Sequence, residues 1–185
     1  MGQVLEGKNG VPIGATPDGR LHTEAVSLPE EHEAALENNA YTMDIDGIQP
    51  DGANYWVAVI KNTADEDMVI TSITGWVSSF ENTQIYEAVI GQTFTYAANG
   101  TAVVPVNTKS GISGGADGDF YVNDGSGNIT TVGGTGLIVG RYIFTTTPLK
   151  WTKGTGWIVP KNQTFMIWSN LAEKLNGYIS FYYHG

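Results

Sequence analysis

The chain has 185 residues, which is enough for one domain with a sizeable hydrophobic core. Only 15% of the residues are charged, while Gly, Thr, Val and aromatic residues are frequent, and this composition favours short strands joined by turns over a helical bundle. The formal charge is −10 and the few Lys and Arg residues are not clustered, so we expect neither nucleic acid nor an anionic membrane surface among its partners.

Residues 1–26 are rich in Gly and Pro and lack the periodicity of a helix or of a core strand. Within them, the sequence Thr-Pro-Asp-Gly at 16–19 is a strong turn signal, with Pro at the second position and Asp-Gly after it. The pattern predicts an extended segment, a tight turn and then a short strand from Arg20 to Val26.

One short helix is predicted after the arm. Ser27 fits the N-cap of a capping box in which Glu30 reaches back, and the acidic residues in the first turns suit the positive end of the helix dipole. The helix is expected to end near Glu37, before Asn38-Asn39. We therefore divide the chain into an N-terminal arm with a short helix at 1–40 and a β domain at 41–185.

From Tyr41 onward, apolar runs and turn signals alternate at the spacing of a sandwich or barrel. The predicted strands are Asn54–Lys61, Met68–Val77, Gln84–Ile90, Thr93–Tyr96, Thr101–Val106, Asp119–Val122, Ile129–Val132, Leu137–Thr145, Gly156–Val159, Gln163–Ser169 and Gly177–Tyr183. The first is a continuous apolar run, typical of a strand buried on both faces, and is expected to pair antiparallel with the second across the polar turn at 62–67. Asn99-Gly100 is a favoured hairpin turn. The predicted fold class is all-β, an antiparallel β-sandwich with an extended N-terminal arm and one short helix.

The sequence carries no recognisable catalytic pattern. Its three histidines, His22, His32 and His184, lie in segments that are not expected to hold an imidazole beside a nucleophile. There is no cysteine, no HExxH and no GxxxxGK[ST], and the glycines near 134–136 precede an apolar strand instead of following one. We therefore predict a protein that is not an enzyme and that holds no cofactor.

Acidic residues leave two narrower alternatives open. The stretches 117–119 and 124–128 supply oxygen ligands of the kind that calcium prefers, but their spacing does not match an EF-hand and exposed turns explain the same residues. Asp44 and Asp46 would share a face if 41–46 were a strand, as a carboxylate pair for glycoside hydrolysis requires, although many solvated strand faces carry such pairs. No metal site is predicted.

Five tryptophans remain as candidates for ligand binding. Trp56, Trp76 and Trp168 lie within apolar strands and are predicted to be core residues. Trp151 and Trp157 flank the sequence Lys-Gly-Thr-Gly at 153–156, which is expected to be a loop. These two side chains are therefore predicted to be exposed, and they form the candidate ligand platform.

Two segments resemble small virion proteins of tailed bacteriophages. Asp18–Val26 (DGRLHTEAV) resembles the segment that follows a loose N-terminal arm in such proteins, and Val59–Ile73 (VIKNTADEDMVITSI) is similar to a hairpin of their jelly-roll domains. The resemblance implies a jelly-roll-like β-sandwich that decorates or stabilises a capsid or forms a head appendage, often as a trimer.

The resemblance also implies partners and a location. The arm would attach to capsid or other virion proteins, and a segment that cannot fold alone would become ordered there. The apolar contact residues would be Val11, Pro12, Ile13 and Leu21. The protein would be made in the host cytoplasm and reside in the virion. The alternative is a carbohydrate- or receptor-binding module of a tail fibre, which would use the candidate ligand platform.

Overall fold

The structure is a computed structural model that describes residues 5–6, 12–15, 21–22, 34, 37, 39–50, 56–79, 85–91, 94–96, 100–109, 115–124, 129–131, 136–170 and 172–184. Its strands are β1 (Leu5–Glu6), β2 (Pro12–Ala15), β3 (Leu21–His22), β4 (Ala40–Asp44), β5 (Trp56–Asn62), β6 (Asp67–Val77), β7 (Tyr86–Ile90), β8 (Phe94–Tyr96), β9 (Thr101–Ala102), β10 (Val106–Asn107), β11 (Gly118–Val122), β12 (Ile129–Thr131), β13 (Leu137–Tyr142), β14 (Leu149–Val159), β15 (Thr164–Ser169) and β16 (Leu175–His184). None of the described residues belongs to a helix long and apolar enough to cross a membrane.

Two antiparallel sheets pack face to face and enclose the main hydrophobic core. Sheet 1 has the strand order β10-β4-β16-β6-β14, and sheet 2 has the order β13-β7-β15-β5-β11-β9. Side chains mostly alternate along a strand between the core and the outer face of its sheet, and the alternation is interrupted where the register shifts, as at Val57 and Ala58 of β5. Phe144, Phe165 and Phe181 are among the largest fully buried side chains of this core. The predicted all-β sandwich is confirmed.

The strand pairing is that of a jelly roll. β4 pairs with β16, β5 with β15, β6 with β14 and β7 with β13. These pairs are successive parts of one long antiparallel ribbon wound around the core, so its consecutive strands mostly alternate between the two sheets. The chain between β7 and β13 is an insertion, which adds β9 and β11 to sheet 2, β10 to sheet 1 and the separate β8-β12 pair.

Two tyrosine hydroxyls connect this insertion to sheet 1. Tyr41 of β4 donates a hydrogen bond to the carbonyl of Gly115 at 2.9 Å, and Tyr183 of β16 donates one to the carbonyl of Asp117 at 2.7 Å. Burial raises the pKa of Tyr183, and the nearby charge of Asp117 adds to this effect. The hydroxyl therefore stays protonated and remains a donor at neutral pH.

Strand β5 is buried on both faces, as its apolar run predicts. Val57 and Ile60 belong to the main core, while Val59 packs with Ile129 of β12 on the outer face of sheet 2. The outer face of sheet 1 is covered in a similar way, because Ala34 packs there in a cluster with Val69 and Tyr182. An apolar strand in this protein therefore does not by itself identify the core-facing side.

The predicted pairing of β5 with β6 is wrong. β5 pairs with β11 and β15 in sheet 2, whereas β6 pairs with β14 and β16 in sheet 1, so residues 63–66 form a corner between sheets. The hairpin predicted at Asn99-Gly100 is also wrong, because β8 pairs with β12 and β9 pairs with β11. The predicted strand Thr101–Val106 is divided between β9 and β10, which lie in different sheets. Turn residues indicate where the chain changes direction, but burial selects the partner strands.

The N-terminal predictions are only partly covered by the described residues. β2 precedes the predicted turn at 16–19 and β3 follows it, and the two strands pair antiparallel. The turn itself lies outside the described residues. Ala34 has helical backbone conformation, but Glu37 is the only other described residue of the predicted helix, so this helix stays a prediction.

Asn62 holds the corner between β5 and β6. Its side chain is fully buried, and its Nδ2 donates hydrogen bonds to the carbonyls of Glu66 at 2.8 Å and Val159 at 2.9 Å. Its Oδ1 accepts a hydrogen bond from the backbone N–H of Ala64 at 3.0 Å. One amide side chain thus provides partners for three backbone groups of the corner and of β14, which buried polar groups require.

Replacing Asn62 with Ala is expected to lower the free energy of unfolding by about 3 kcal/mol, because three backbone groups would lose a buried partner. Chemical denaturation measures this change. Thr63→Ala, at the exposed neighbouring position, is the control and is expected to alter stability by less than about 0.5 kcal/mol. A loss below about 1 kcal/mol for Asn62→Ala would mean that other contacts hold the corner.

Candidate functional site

The structure places the candidate ligand platform in a strand and not in a loop. Trp151 and Trp157 both belong to β14, the edge strand of sheet 1. The register with β6 shifts between Thr152 and Trp157, so the intervening residues form a bulge in a continuous strand. Gly156 has a φ of 67° in this bulge, a left-handed conformation that glycine adopts without strain.

Both indoles face the interior of the sandwich. Trp157 is 3% exposed and belongs to the main core, and Trp151 is half-buried against the same core. Their rings pack against Tyr142 of β13, with centroid distances of 4.3 Å from Trp151 and 6.1 Å from Trp157. Phe165 of β15 lies 5.9 Å from Trp157. Burial among these rings raises the pKa of Tyr142 to about 12.

The predicted exposure of Trp151 and Trp157 is therefore wrong. The inward-facing residues of an edge strand must cover the open side of the core, and large aromatic side chains bury the most apolar area there. The glycines at 153–156 suggested a loop, but they belong to the bulge of this strand. Trp157 has almost no surface left for a ligand, so its role is in packing.

Replacing Trp157 with Ala is expected to lower the free energy of unfolding by about 3–5 kcal/mol, since it leaves a cavity between the sheets. Denaturation followed by far-UV circular dichroism measures the loss without relying on tryptophan fluorescence. The matched control is Trp168→Ala at a half-buried position, for which we expect about 2 kcal/mol or less. Equal losses for the two variants would contradict the core position of Trp157.

A row of four side chains crosses the outer face of sheet 2. The strand register aligns Arg141 of β13, Glu87 of β7, Trp168 of β15 and Trp56 of β5. Residues opposite each other on antiparallel strands share a face, and each of the four strands has a core residue directly beside the row, namely Tyr142, Ala88, Ile167 and Val57. The Nε of Arg141 donates to Oε1 of Glu87 at 2.8 Å, and both indoles are half-buried. The row combines two aromatic surfaces with a charged pair, and we call it the outer-face row.

This position corrects the prediction that Trp56, Trp76 and Trp168 are core residues. All three are half-buried and none belongs to the main core. Trp56 packs against the small cluster on the outer face of sheet 2, and Trp76 alternates with Val77, which faces the core of the sandwich. Because β5, β6 and β15 are apolar on both faces, the sequence pattern gave no signal that distinguishes inner from outer tryptophans.

The arm residues that were predicted to contact a partner lie in a small sheet of their own. β1, β2 and β3 pair in that order, with Pro12 and Ile13 in β2 and Leu21 in β3. Among the described residues, none of these three strands pairs with a strand of sheet 1 or sheet 2. Val11 lies outside the described residues.

The structure places the acidic residues singled out in the sequence in turns and beside a hydroxyl. Asp44 ends β4, and its Oδ1 accepts the N–H of Asp46 at 2.8 Å, so the two belong to a turn and not to one strand face. The Asp124 carboxylate accepts a hydrogen bond from the Thr101 hydroxyl. No group of three or more His, Cys, Asp or Glu residues that could hold a metal ion occurs in the part of the chain that the structure describes.

Exposed large apolar side chains concentrate at the two lateral sides of the sandwich, which the sequence analysis missed. On the side formed by β13 and β14, Leu137 is 70% exposed and Ile158 is 54% exposed. On the side formed by β9 and β10, Val104 is 59% exposed and Val106 is 37% exposed. The sequence shows that these segments are apolar strands. It does not show that they lie at the edge of a sheet, because that depends on which strands pair.

Comparisons of this chain with protein-family models, with characterised proteins and with solved structures find no match.

Proposed function

We propose that the protein is a non-enzymatic structural protein of a tailed-phage virion, which decorates or stabilises the capsid or forms a head appendage. It would be made in the host cytoplasm, assemble as a homo-oligomer, with a trimer as the expected state, and bind capsid or other virion proteins through its N-terminal arm. The observation that carries this proposal is that, in the described residues, the arm strands pair only with one another and not with strands of sheet 1 or sheet 2.

The size of the arm sheet supports attachment to a partner. Its strands have two, four and two residues, which is too little to enclose a hydrophobic core. Ile13 and Leu21 are apolar residues within these strands, and a sheet this small gains stability mainly by burying such residues against another surface. The jelly roll has its own core and does not require the arm strands to complete either sheet.

The test measures how tightly the purified protein binds to phage particles that were assembled in its absence. Protein lacking residues 1–26 is expected to keep the melting temperature of the jelly roll and to bind the particles at least about tenfold more weakly, because the contact residues are gone. The point variant Ile13→Asp is expected to have a similar effect. Gln3→Asp is the matched control, since it adds the same charge to the arm without replacing an apolar residue.

Two results would count against this proposal. Normal binding of the protein without its arm would contradict the arm as the attachment element. Failure of the full-length protein to bind any particle, with the fold intact, would contradict the virion function itself.

A carbohydrate- or receptor-binding module is the second candidate, and the outer-face row favours it. Trp168 and Trp56 are neighbours on adjacent strands, and sugar rings stack on such aromatic surfaces. Next to them, the Glu87–Arg141 pair offers charged hydrogen-bonding groups for sugar hydroxyls. This site replaces the platform first expected at Trp151 and Trp157.

For this second candidate, Trp168→Ala is expected to weaken the binding of a glycan hit from a broad panel at least about tenfold, through loss of stacking. Trp76→Ala is the matched control, because Trp76 is also half-buried but lies on sheet 1. Isothermal titration calorimetry measures both affinities. A panel without hits, or an equal effect of the two variants, would remove the carbohydrate-binding reading of the row.

A further inference from the structure

The sandwich has two lateral sides, and each of them is formed by one edge strand of sheet 1 and one edge strand of sheet 2. β13 and β14 are the edge strands of the two sheets on one side, where the Tyr142–Trp151 ring contact joins them. β9 and β10 are the edge strands on the other side, and they are consecutive in the chain. We call these surfaces the β13/β14 side and the β9/β10 side.

The β13/β14 side is apolar and basic. Its edge strands carry the exposed apolar residues Leu137, Ile138, Leu149 and Ile158, and Ile143 directly follows β13. Because Ile138 lies opposite Val89 and Ile158 opposite Val69, these two are at the margins of the outer faces of sheet 2 and sheet 1. Lys150 and Lys153 are also exposed there, while Arg141 is paired with Glu87. The sequence from 125 to 172 contains four basic residues and no acidic residue, although the whole chain has a formal charge of −10.

The β9/β10 side is apolar and acidic. Val104 and Val106 are exposed on it, and Asp117 and Asp124 are exposed in the adjoining part of the insertion. Residues 100–124 contain three acidic residues and one basic residue. Among the described large apolar residues that are exposed, Tyr178 is the one that lies on neither side.

We propose that a second copy of this chain covers the β13/β14 side with its own β9/β10 side. Apolar side chains of both surfaces would leave water, and Lys150 and Lys153 would lie near Asp117 and Asp124 of the other copy. The contact joins two different surfaces, so it repeats from copy to copy and closes into a ring when the rotation allows it.

Side chains, and not added backbone pairing, carry this contact. Both edge strands of the β13/β14 side have irregular register, between Ile138 and Gly140 on β13 and between Thr152 and Trp157 on β14. Bulges of this kind hinder the extension of a sheet by another strand. The inference deepens the homo-oligomer part of the proposed function, but it concerns the purified protein alone. Its failure is therefore distinguishable from failure to bind a particle.

The test is the solution mass by light scattering over a concentration series. The double variant Leu137→Gln/Ile158→Gln changes the β13/β14 side, and Val104→Gln/Val106→Gln changes the β9/β10 side. Each is expected to raise the dissociation constant of the oligomer at least about tenfold, while keeping the melting temperature, because the replaced residues are exposed. Tyr178→Gln is the matched control and is expected to change the constant less than about twofold. Added salt is expected to weaken the wild-type oligomer, since opposite charges face each other.

Mixing the two double variants identifies the geometry. Each variant keeps one intact side, so the mixture is expected to form a one-to-one dimer that does not grow further. A wild-type protein that stays monomeric at every concentration would overturn the proposal. So would an oligomer that only one of the two double variants weakens, or a mixture without dimers, because each result means that the two sides do not bind each other.

Discussion

Aromatic rings from opposite sheets meet in the middle of this protein, and their burial determines most of its architecture. Phe120 of sheet 2 stacks on Phe181 of sheet 1 at 5.4 Å, and Trp157 of sheet 1 packs against Phe165 of sheet 2 at 5.9 Å. For both inner faces to be covered, the antiparallel ribbon must pass from one sheet to the other at its corners. Each corner buries backbone groups that need hydrogen-bond partners, which is why a polar residue such as Asn62 lies fully buried next to the core.

In a jelly roll the two sheets cover each other's inner faces, while the edge strands form two lateral sides. In this protein the apolar side chains that remain exposed are mainly found on those sides. Under our proposal, a second copy would shield this apolar surface from water and place charges of opposite sign near each other. The outer faces are different, because the insertion covers part of sheet 2 through Ile129, and Ala34 covers part of sheet 1. The outer-face row lies on another part of the outer face of sheet 2.

The arm and the jelly roll divide the proposed work between them. Among the described residues, the two sheets of the jelly roll are complete without the arm strands, and under our proposal its sides would provide the contacts between copies. The arm strands pair among themselves, and under our proposal their apolar residues would bind a partner surface. The two proposals assign attachment and oligomerisation to different parts of the chain, so separate substitutions would test each of them.

The sequence by itself determined the all-β class, the position of most strands and the buried character of β5, because apolar period and turn residues are local signals. It did not determine the partner of each strand, and the expected β5–β6 pair shows why: a polar turn at 63–66 fits a hairpin and a corner between sheets equally well. The prediction that Trp151 and Trp157 form an exposed ligand platform was wrong for a related reason. Trp157 and Trp168 occupy similar strand sequences, and only the packing of one sheet on the other decides that the first is core and the second lies on an outer face. Strand pairing and face assignment depend on contacts between residues far apart in the chain, and the tertiary structure alone selects among them.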